Sequence, residues 1–487
     1  VVLVTHVCLI AEGCYPFVTG GVGKWTHDLI ASLPEIDFTV LALWSSRASM
    51  PPSRYPKLPN VREIRPIFLL DRSEAPRMPV PRKTWEDLEL FHEGLKKGDV
   101  SALSRVCPHV STSAFLKDDR SWKLLCRLYE THGIPGMSFP DYFWTWRATH
   151  LPLFRVLESP LSDADLIHTI STGYAGCVAA VHKLQRGIPM ITTEHGLYTR
   201  ERAQEIWDAD WIPGEDRADE RRASNAFKTW WNRMFEGMER ITYATSDAVI
   251  SLFEENRRYQ ISRGASEDRS WVIPNGVDLS FFEGVRASRR ATGRFHIGLV
   301  GRIVPIKDIK TFIAACGILR DQLGADLLEA SLIGPRDEDE LYASQCVEMV
   351  RLLGLEKVVR FLGKRDPREY YRTLDSLVLT SLSEGQPLVL LEGMACGIPF
   401  VATDVGCCRE LLEGRDGEDR KLGTAGLITR IAAPEETAAA LYQLAGNPEL
   451  RERMARAGRQ RVETYYRLDQ VRTAYFDLYR RLTDGRR

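Results

Sequence analysis

The chain has 487 residues, enough for two or three domains and for a hydrophobic core that needs no staples. Its 65 Lys and Arg against 66 Asp and Glu leave a formal charge of −1, and 44% hydrophobic, 27% charged and 9% aromatic residues suit a globular protein. A membrane channel, a disordered scaffold and a protein that packages nucleic acid are excluded. There is no basic excess to grip phosphates, so no nucleic-acid partner is expected, and no apolar run nears the ~20 residues of a membrane helix.

The opening run, residues 1–10 (VVLVTHVCLI), lacks a basic leader and a small-residue cleavage site, and is read as a first strand rather than a signal peptide. GKWTHDLIASL (23–33) follows as a crossover helix, and DFTVLAL (37–43) and VREIRPIFLL (61–70) as strands. A Pro- and charge-rich insertion spans about 71–140, with helical pieces but no alternation. Alternation resumes with DADLIHTIS (163–171), a helix near 174–185, IPMITTEH (188–195), a Trp-rich helix near 220–240, DAVISLF (247–253) and WVIPNG (271–276). The polar stretch 280–294 is expected to be a linker, which places an N-terminal domain at 1–279.

From 295 the pattern is regular. FHIGLVG (295–301), LLEASLIG (327–334), VVRFLG (358–363), SLVLTS (376–381) and IPFVAT (398–403) are strands. Helices alternate with them at 308–323, 337–354, 367–374 and from Pro387 onward. Short strands alternating with helices mark parallel βαβ units, so the expected fold is α/β, with two doubly wound Rossmann-like domains facing across a cleft. The second domain is expected at 295–465, and 466–487 as a terminal helix packing back on the first domain. The ten cysteines include no C-x-x-C pair, and Cys407–Cys408 is read as a loop or helix-start pair. A reducing, cytoplasmic compartment fits this usage.

Chemistry concentrates in SLSEGQPLVLLEGMACGIPFVATDVG (381–406). Glu384 lies in the loop after a strand, Gly385 follows, and Pro387 is expected at the first helical position, where its missing N–H costs nothing. The amides of Leu388 and Val389 are then free to meet a phosphate. Glu392, eight positions beyond Glu384, is expected about two turns on, so the two carboxylates would meet different parts of a ligand. A helix-end acid and a solvated Glu would be the purely structural explanation. In GRIVPIKDIK (301–310), Arg302 can fork onto phosphate oxygens and Lys307 offers a point charge at an expected helix start, where a cation is unfavourable unless an anion is present. Gly20 and Gly21 precede a helix and suggest a close backbone approach, although a plain turn explains them equally well. His195 ends a strand beside Gly196, Glu194, Tyr198 and Arg200. Trp230, Trp231, Met234, Phe235 and Met238 at helical spacing, and the run Tyr142, Phe143, Trp144 and Trp146, are read as packing.

GR-x4-K followed by E-x7-E inside SEG-x-P-L-x-x-LEGMA-x-G-x-P-x-VATDVG resembles the retaining, nucleotide-sugar-dependent glycosyltransferases of family 4, with the GT-B fold. EGCYPFVTGGVGKW (12–25), TEHGLYTRER (193–202) and the long insertion resemble the branch that polymerises the Pel exopolysaccharide, the PelF type. The resemblance implies a hexosyltransferase using a UDP-sugar, such as UDP-glucose, on a growing glycan. Arg302 and Lys307 would bind the donor diphosphate, Glu392 the ribose and Glu384 the transferred sugar. The backbone around Lys364 and Arg365 would meet the base. His195 would meet sugar hydroxyls near the anomeric carbon, and the Gly20–Gly21 loop would line the donor phosphates. Gln386 departs from the aromatic often found there. No metal and no cofactor is expected, with Arg302, Lys307 and the amides of 388–389 taking the metal's part. A membrane-embedded polysaccharide export complex is the implied partner, holding a cytoplasmic enzyme at the inner membrane. A sugar-nucleotide epimerase on the same fold and a silent UDP-sugar-binding subunit remain open alternatives.

Overall fold

The computed structural model describes residues 5–71, 80–95, 99, 101–106, 111–132, 137–160, 162–207, 218–285 and 293–484. Residues 1–4 of the expected first strand, parts of the expected insertion, 286–292 of the expected linker and 485–487 of the expected terminal helix lie outside them. The chain divides into two units: Val1–Ile273 with Ala474–Arg487 (unit 1), and Pro274–Thr473 (unit 2). The first change of unit thus falls ahead of the polar stretch 280–294.

Unit 1 holds strands β1 (His6–Glu12), β2 (Asp37–Trp44), β3 (Val61–Phe68), β4 (Leu166–Thr169), β5 (Met190–Glu194), β6 (Ala248–Ser251) and β7 (Ser270–Val272). They pair in the order β3-β2-β1-β4-β5-β6-β7, every pair parallel. The central strands read as unbroken apolar runs because helices cover both faces, which leaves no solvent side for polar alternation. In β1, Val7–Ala11 are all buried. The helix Tyr174–Arg186 is buried from Ala175 through His182, and its small residues Ala175, Ala179 and Ala180 let it lie close to the sheet.

The non-alternating segment runs further than expected. The β3–β4 connection carries the helices Arg82–Leu95, Asp119–His132 and Phe139–Leu157, the last well past residue 140. These build a core of their own around Trp85, Leu124, Leu128, Tyr142, Trp146 and Phe154. Trp144, expected to pack, is instead 61% exposed, because its neighbours Tyr142 and Trp146 take the inward face. On the long helix Ala218–Thr245, Phe235 and Met238 are core residues, with Trp231 and Met234 packed against them.

Unit 2 holds β8 (Phe295–Val300), β9 (Leu328–Ile333), β10 (Val359–Gly363), β11 (Ser376–Leu379), β12 (Phe400–Thr403) and β13 (Gly426–Thr429). The order is β10-β9-β8-β11-β12-β13, again all parallel. Its largest buried charge is Arg461, which is paired with Asp419 at 2.6 Å and also donates to the carbonyls of Leu412 and Gly423 at 2.9 and 2.8 Å. Each sheet reverses its winding once, between β1 and β4 and between β8 and β11. Ligands of doubly wound sheets bind beyond the carboxyl ends of the strands at such points.

Candidate functional site

In unit 2 the loops leaving β8 and β11 are laced together. The Leu382 amide donates to the Ile306 carbonyl at 2.8 Å. The Thr380 hydroxyl reaches the carbonyls of Lys307 and Asp308 at 3.0 and 2.9 Å. This lacing sets the Lys307 ammonium against the Glu384 carboxylate as an ion pair, and Ser381 Oγ donates to the same carboxylate oxygen at 2.7 Å. Lys307 and Glu384 were singled out separately in the sequence, and the fold brings them together. Lys307 does not sit in the helix's first turn as expected. It ends a short 3-10 turn, Pro305–Lys307, and Asp308, with φ of 44°, caps the helix Ile309–Leu323 through the Thr311 amide at 3.3 Å. The acid that the helix dipole favours is therefore Asp308, and Lys307 remains for Glu384.

Behind Glu384 stands Gly406, with φ of 52°; a Cβ there would lie 2.2 Å from the Glu384 carbonyl. Only glycine allows this approach, and next to it the Cys407 amide donates to the Gly385 carbonyl at 3.1 Å. Cys407 then caps the helix Cys408–Glu413. Gln386 is buried; its side chain accepts from the Asn275 amide, and its carbonyl accepts from Asn275 Nδ2 at 3.1 Å. Its departure from an aromatic is thus tied to a backbone clamp within unit 2.

Pro387 is not the first helical residue but the cap, in extended conformation, and the helix runs Leu388–Ala395. Glu392 consequently lies about one turn in, not two. No side chain caps this helix start among the described residues, so the amides of Leu388 and Val389 point outward without an intrahelical partner. Glu392 accepts from the Tyr371 hydroxyl at 3.2 Å. Tyr371 ends the short helix Pro367–Tyr371, which begins just past the exposed Lys364 and Arg365. The ribose candidate and the base candidates thus share one corner. Arg302 has a partner the sequence did not suggest, an ion pair with Glu338.

In unit 1 the winding point is built differently. Glu12, at the end of β1, accepts from the Ala175 amide at 3.0 Å and Ser171 Oγ at 3.4 Å. Its other oxygen accepts from the Tyr198 hydroxyl at 2.7 Å. The chain's own carboxylate therefore occupies the start of the helix Tyr174–Arg186. Gly20 and Gly21 have open space where a Cβ would stand; Gly21 already begins the helix Gly21–Ser32, and the tight position is Gly23 within it, where a Cβ would lie 2.5 Å from the Val18 carbonyl. His195 lies one residue past β5, its ring edge-on to Trp25 at 4.2 Å. Its buried Nε2 has no hydrogen-bond partner among the described residues, and burial lowers its pKa to about 3, so the ring is neutral. Trp25 also packs on Tyr475 at 5.6 Å. Beneath, Glu194 accepts from Tyr243, Gln260 and Thr172, and burial raises its carboxyl to about 7.

Glu12 and Trp25, the two ends of the motif 12–25, and Ser171 were given no role of their own in the sequence reading. Their partners lie far away along the chain, and Glu12 carried only the weak signal of an acid closing an apolar strand.

Comparison with known proteins bears on both units. Residues 5–268 match the family model described as "Domain of unknown function (DUF3492)", and residues 294–447 match "Glycosyl transferases group 1". The D-inositol 3-phosphate glycosyltransferase of Paenarthrobacter aurescens (strain TC1) is 31% identical over 243 residues, 48% of this chain and 57% of that protein. The chain spans about half the length of the curated relatives it matches. Sucrose-phosphate synthase from Thermosynechococcus elongatus superposes with a TM-score of 0.59 at 18% identity, covering 99% of this chain and 100% of that one. Anabaena Alr3699/HepE in complex with UDP gives 0.57 at 15%, covering 97% and 99%. At such identities the likeness establishes the fold, two parallel-sheet Rossmann-like domains of the GT-B type. The first family model spans more than half of the sequence, and the chain belongs to the DUF3492 family, with a glycosyl transferases group 1 segment following it.

Proposed function

We propose that the chain is a retaining glycosyltransferase that moves a hexose, glucose or a close relative, from a UDP-sugar to a growing polysaccharide of the Pel exopolysaccharide type. The observation that carries this reading is the Lys307–Glu384 pair at the β8/β11 winding point, beside the uncapped start of the helix Leu388–Ala395. A nucleoside diphosphate leaves with growing negative charge. A fixed ammonium and outward amides stabilise such charge without reorganising. Incoming phosphate competes with Glu384 for Lys307, which releases the carboxylate to the transferred sugar. Arg302 joins by exchanging Glu338 for phosphate, and Glu392 holds the ribose hydroxyls.

With these cations in place the reading needs no metal. Transfer on the same face, with the departing phosphate assisting removal of the acceptor's proton, accounts for retention. For unit 1 the reading assigns acceptor recognition. His195, neutral at physiological pH, serves there as a hydrogen-bond partner for a hydroxyl rather than as a proton donor. The matched D-inositol 3-phosphate glycosyltransferases and the UDP complex of HepE support a sugar-nucleotide transferase; the Pel assignment rests on the sequence motifs. A membrane-embedded export complex is the partner this reading implies.

The deciding experiment follows UDP release from a panel of UDP-sugars with calorimetric UDP binding, for wild type, Glu384→Gln and Glu392→Gln. Contacts unchanged during reaction affect binding, whereas contacts that strengthen in the transition state affect turnover. Glu392→Gln should weaken UDP binding, while Glu384→Gln, which removes the carboxylate that competes for Lys307, should keep or tighten it and lose turnover. Equal loss of UDP affinity in both would break this division of the donor. Release of a free epimer in place of a lengthened glycan would make the chain an epimerase, and abolition by EDTA with rescue by Mg2+ would refute the metal-free site.

A further inference from the structure

The helices of the β3–β4 connection do not close completely on the helix Ala218–Thr245. Between them lies a cavity of about 520 Å3 whose walls include Phe91, Leu128, Trp146, Leu153, Trp230 and Met234. Its floor is Cys177 and Val181 of the helix Tyr174–Arg186. No strand contributes to it, and neither do Glu12, Tyr198 or His195. It is therefore separate from the winding point of the unit 1 sheet.

Polar groups are few. Inside, the rings of His92 and His150 stand 5.2 Å apart, and burial holds His150 near pKa 3, so it adds no charge at neutral pH. The helix Ala218–Thr245 brings Arg233, exposed, and Arg240, partly exposed, to the cavity two turns apart. Glu236 lies between them, but its carboxylate is paired with Arg263 at 3.2 Å. A sugar or nucleoside would leave its hydroxyls facing hydrocarbon here. Small-molecule pockets of ~300–1,000 Å3 are mainly apolar with a few convergent polar groups, and this cavity fits that description.

We propose that the cavity binds a single-chain amphiphile, an aliphatic tail among the aromatic and aliphatic walls with an anionic head at the exposed Arg233. The site stands independently of the transferase reading. It gives the chain an affinity for lipid-like molecules although no described helix is long and apolar enough to cross a membrane. The head is a phosphate or a carboxylate, and the two imply different sources, a lipid phosphate or a fatty acid.

The test titrates the full chain with 11-(dansylamino)undecanoic acid and reads energy transfer from tryptophan, since Trp146 and Trp230 line the cavity. Saturable binding is expected, with displacement by dodecyl phosphate and dodecanoate; the tighter competitor identifies the source. Dodecanol should bind at least ~10-fold more weakly, and butyl phosphate should not compete. Met234→Trp and Leu153→Trp fill the cavity and should each weaken the probe by ~10-fold or more. Arg233→Glu, at an exposed position that leaves folding intact, should weaken dodecyl phosphate while leaving dodecanol unchanged. Absence of saturable binding below the micelle concentration, wild-type affinity in both cavity variants that fold, competition by butyl phosphate equal to that of dodecyl phosphate, or an unchanged anion preference in Arg233→Glu would each overturn the proposal.

Discussion

The two sheets share a winding and differ in how they treat the helix that starts at the winding point. In unit 1, Glu12 supplies the anion that the start of the helix Tyr174–Arg186 attracts. In unit 2, the helix Leu388–Ala395 has no side-chain cap, and the cation and carboxylate beside it, Lys307 and Glu384, neutralise each other instead. A helix start favours negative charge in both cases. Filled from within, it becomes structure. Left open beside an exchangeable ion pair, it is where the proposed function puts the donor phosphate. Topology alone therefore does not distinguish the two units; the proposed donor site rests on the local charge arrangement.

The units also differ in what can be observed of them. All eleven tryptophans lie at or before Trp271, so tryptophan emission follows unit 1 alone. The largest expected effect is confined to unit 2. Asp419→Ala strands the fully buried Arg461 and should cost about 3–5 kcal/mol, the range for breaking a buried ion pair. Circular dichroism should show the loss while the tryptophan transition stays in place; a tryptophan transition that moves equally would mean the units unfold as one.

Next in size is Lys307→Ala, which should lower turnover by about 2.7–4 kcal/mol of transition-state stabilisation, as for other fixed donors to developing charge. Near-normal turnover would remove the distinction drawn between the two helix starts. Glu12→Gln tests the other side of it. It should destabilise unit 1 by about 1.5 kcal/mol, at the low end for hydrogen bonds to a charged acceptor because Gln keeps one oxygen, and should leave UDP affinity unchanged. A loss of UDP affinity without a loss of stability would reassign Glu12 to ligand binding.

The smallest effect concerns His168, fully buried between Tyr479 and Thr193 at 2.7 and 2.8 Å. Burial lowers its pKa to about 3, with the nearby His195 adding to the shift. Between pH 6.5 and 3 the unfolded chain binds the proton and the folded chain does not, so the stability this group contributes is present above pH 6.5 and is lost as the pH falls. From pH 7 to 6 the loss should be about 0.7 kcal/mol, from an ordinary His pKa of 6.5. Urea titrations read by tryptophan emission should show a drop smaller by about this amount in His168→Gln than in wild type, the remainder coming from the other buried histidines, His150 and His195; equal drops would place this proton uptake elsewhere.

Local pattern carried most of the fold. β8, β9 and β12 announce themselves as apolar runs between helical periods, because a strand covered on both faces has no polar side to show. The helix near 174–185 and the packed Phe235 and Met238 were legible for the same reason. Helix edges were less so. Asp308 and Pro387, where the pattern alone would begin a helix, each cap one that starts a residue later, a choice made by single backbone angles.

The candidate site divides the same way. Residue types at short spacing marked Lys307, Glu384 and Glu392, since phosphate and sugar chemistry needs charge and glycine close to a strand end. What they touch was decided in three dimensions. The pairing of Lys307 with Glu384 spans 77 positions, and that of Glu12 with Ala175 spans 163. Neither pairing leaves a periodic trace, because the sheet order that brings the ends of β1 and β4, or of β8 and β11, side by side is set by packing of whole layers. The cavity beside Met234 is the extreme case: each apolar wall residue reads as ordinary core, and only the failure of the surrounding helices to meet leaves the space between them.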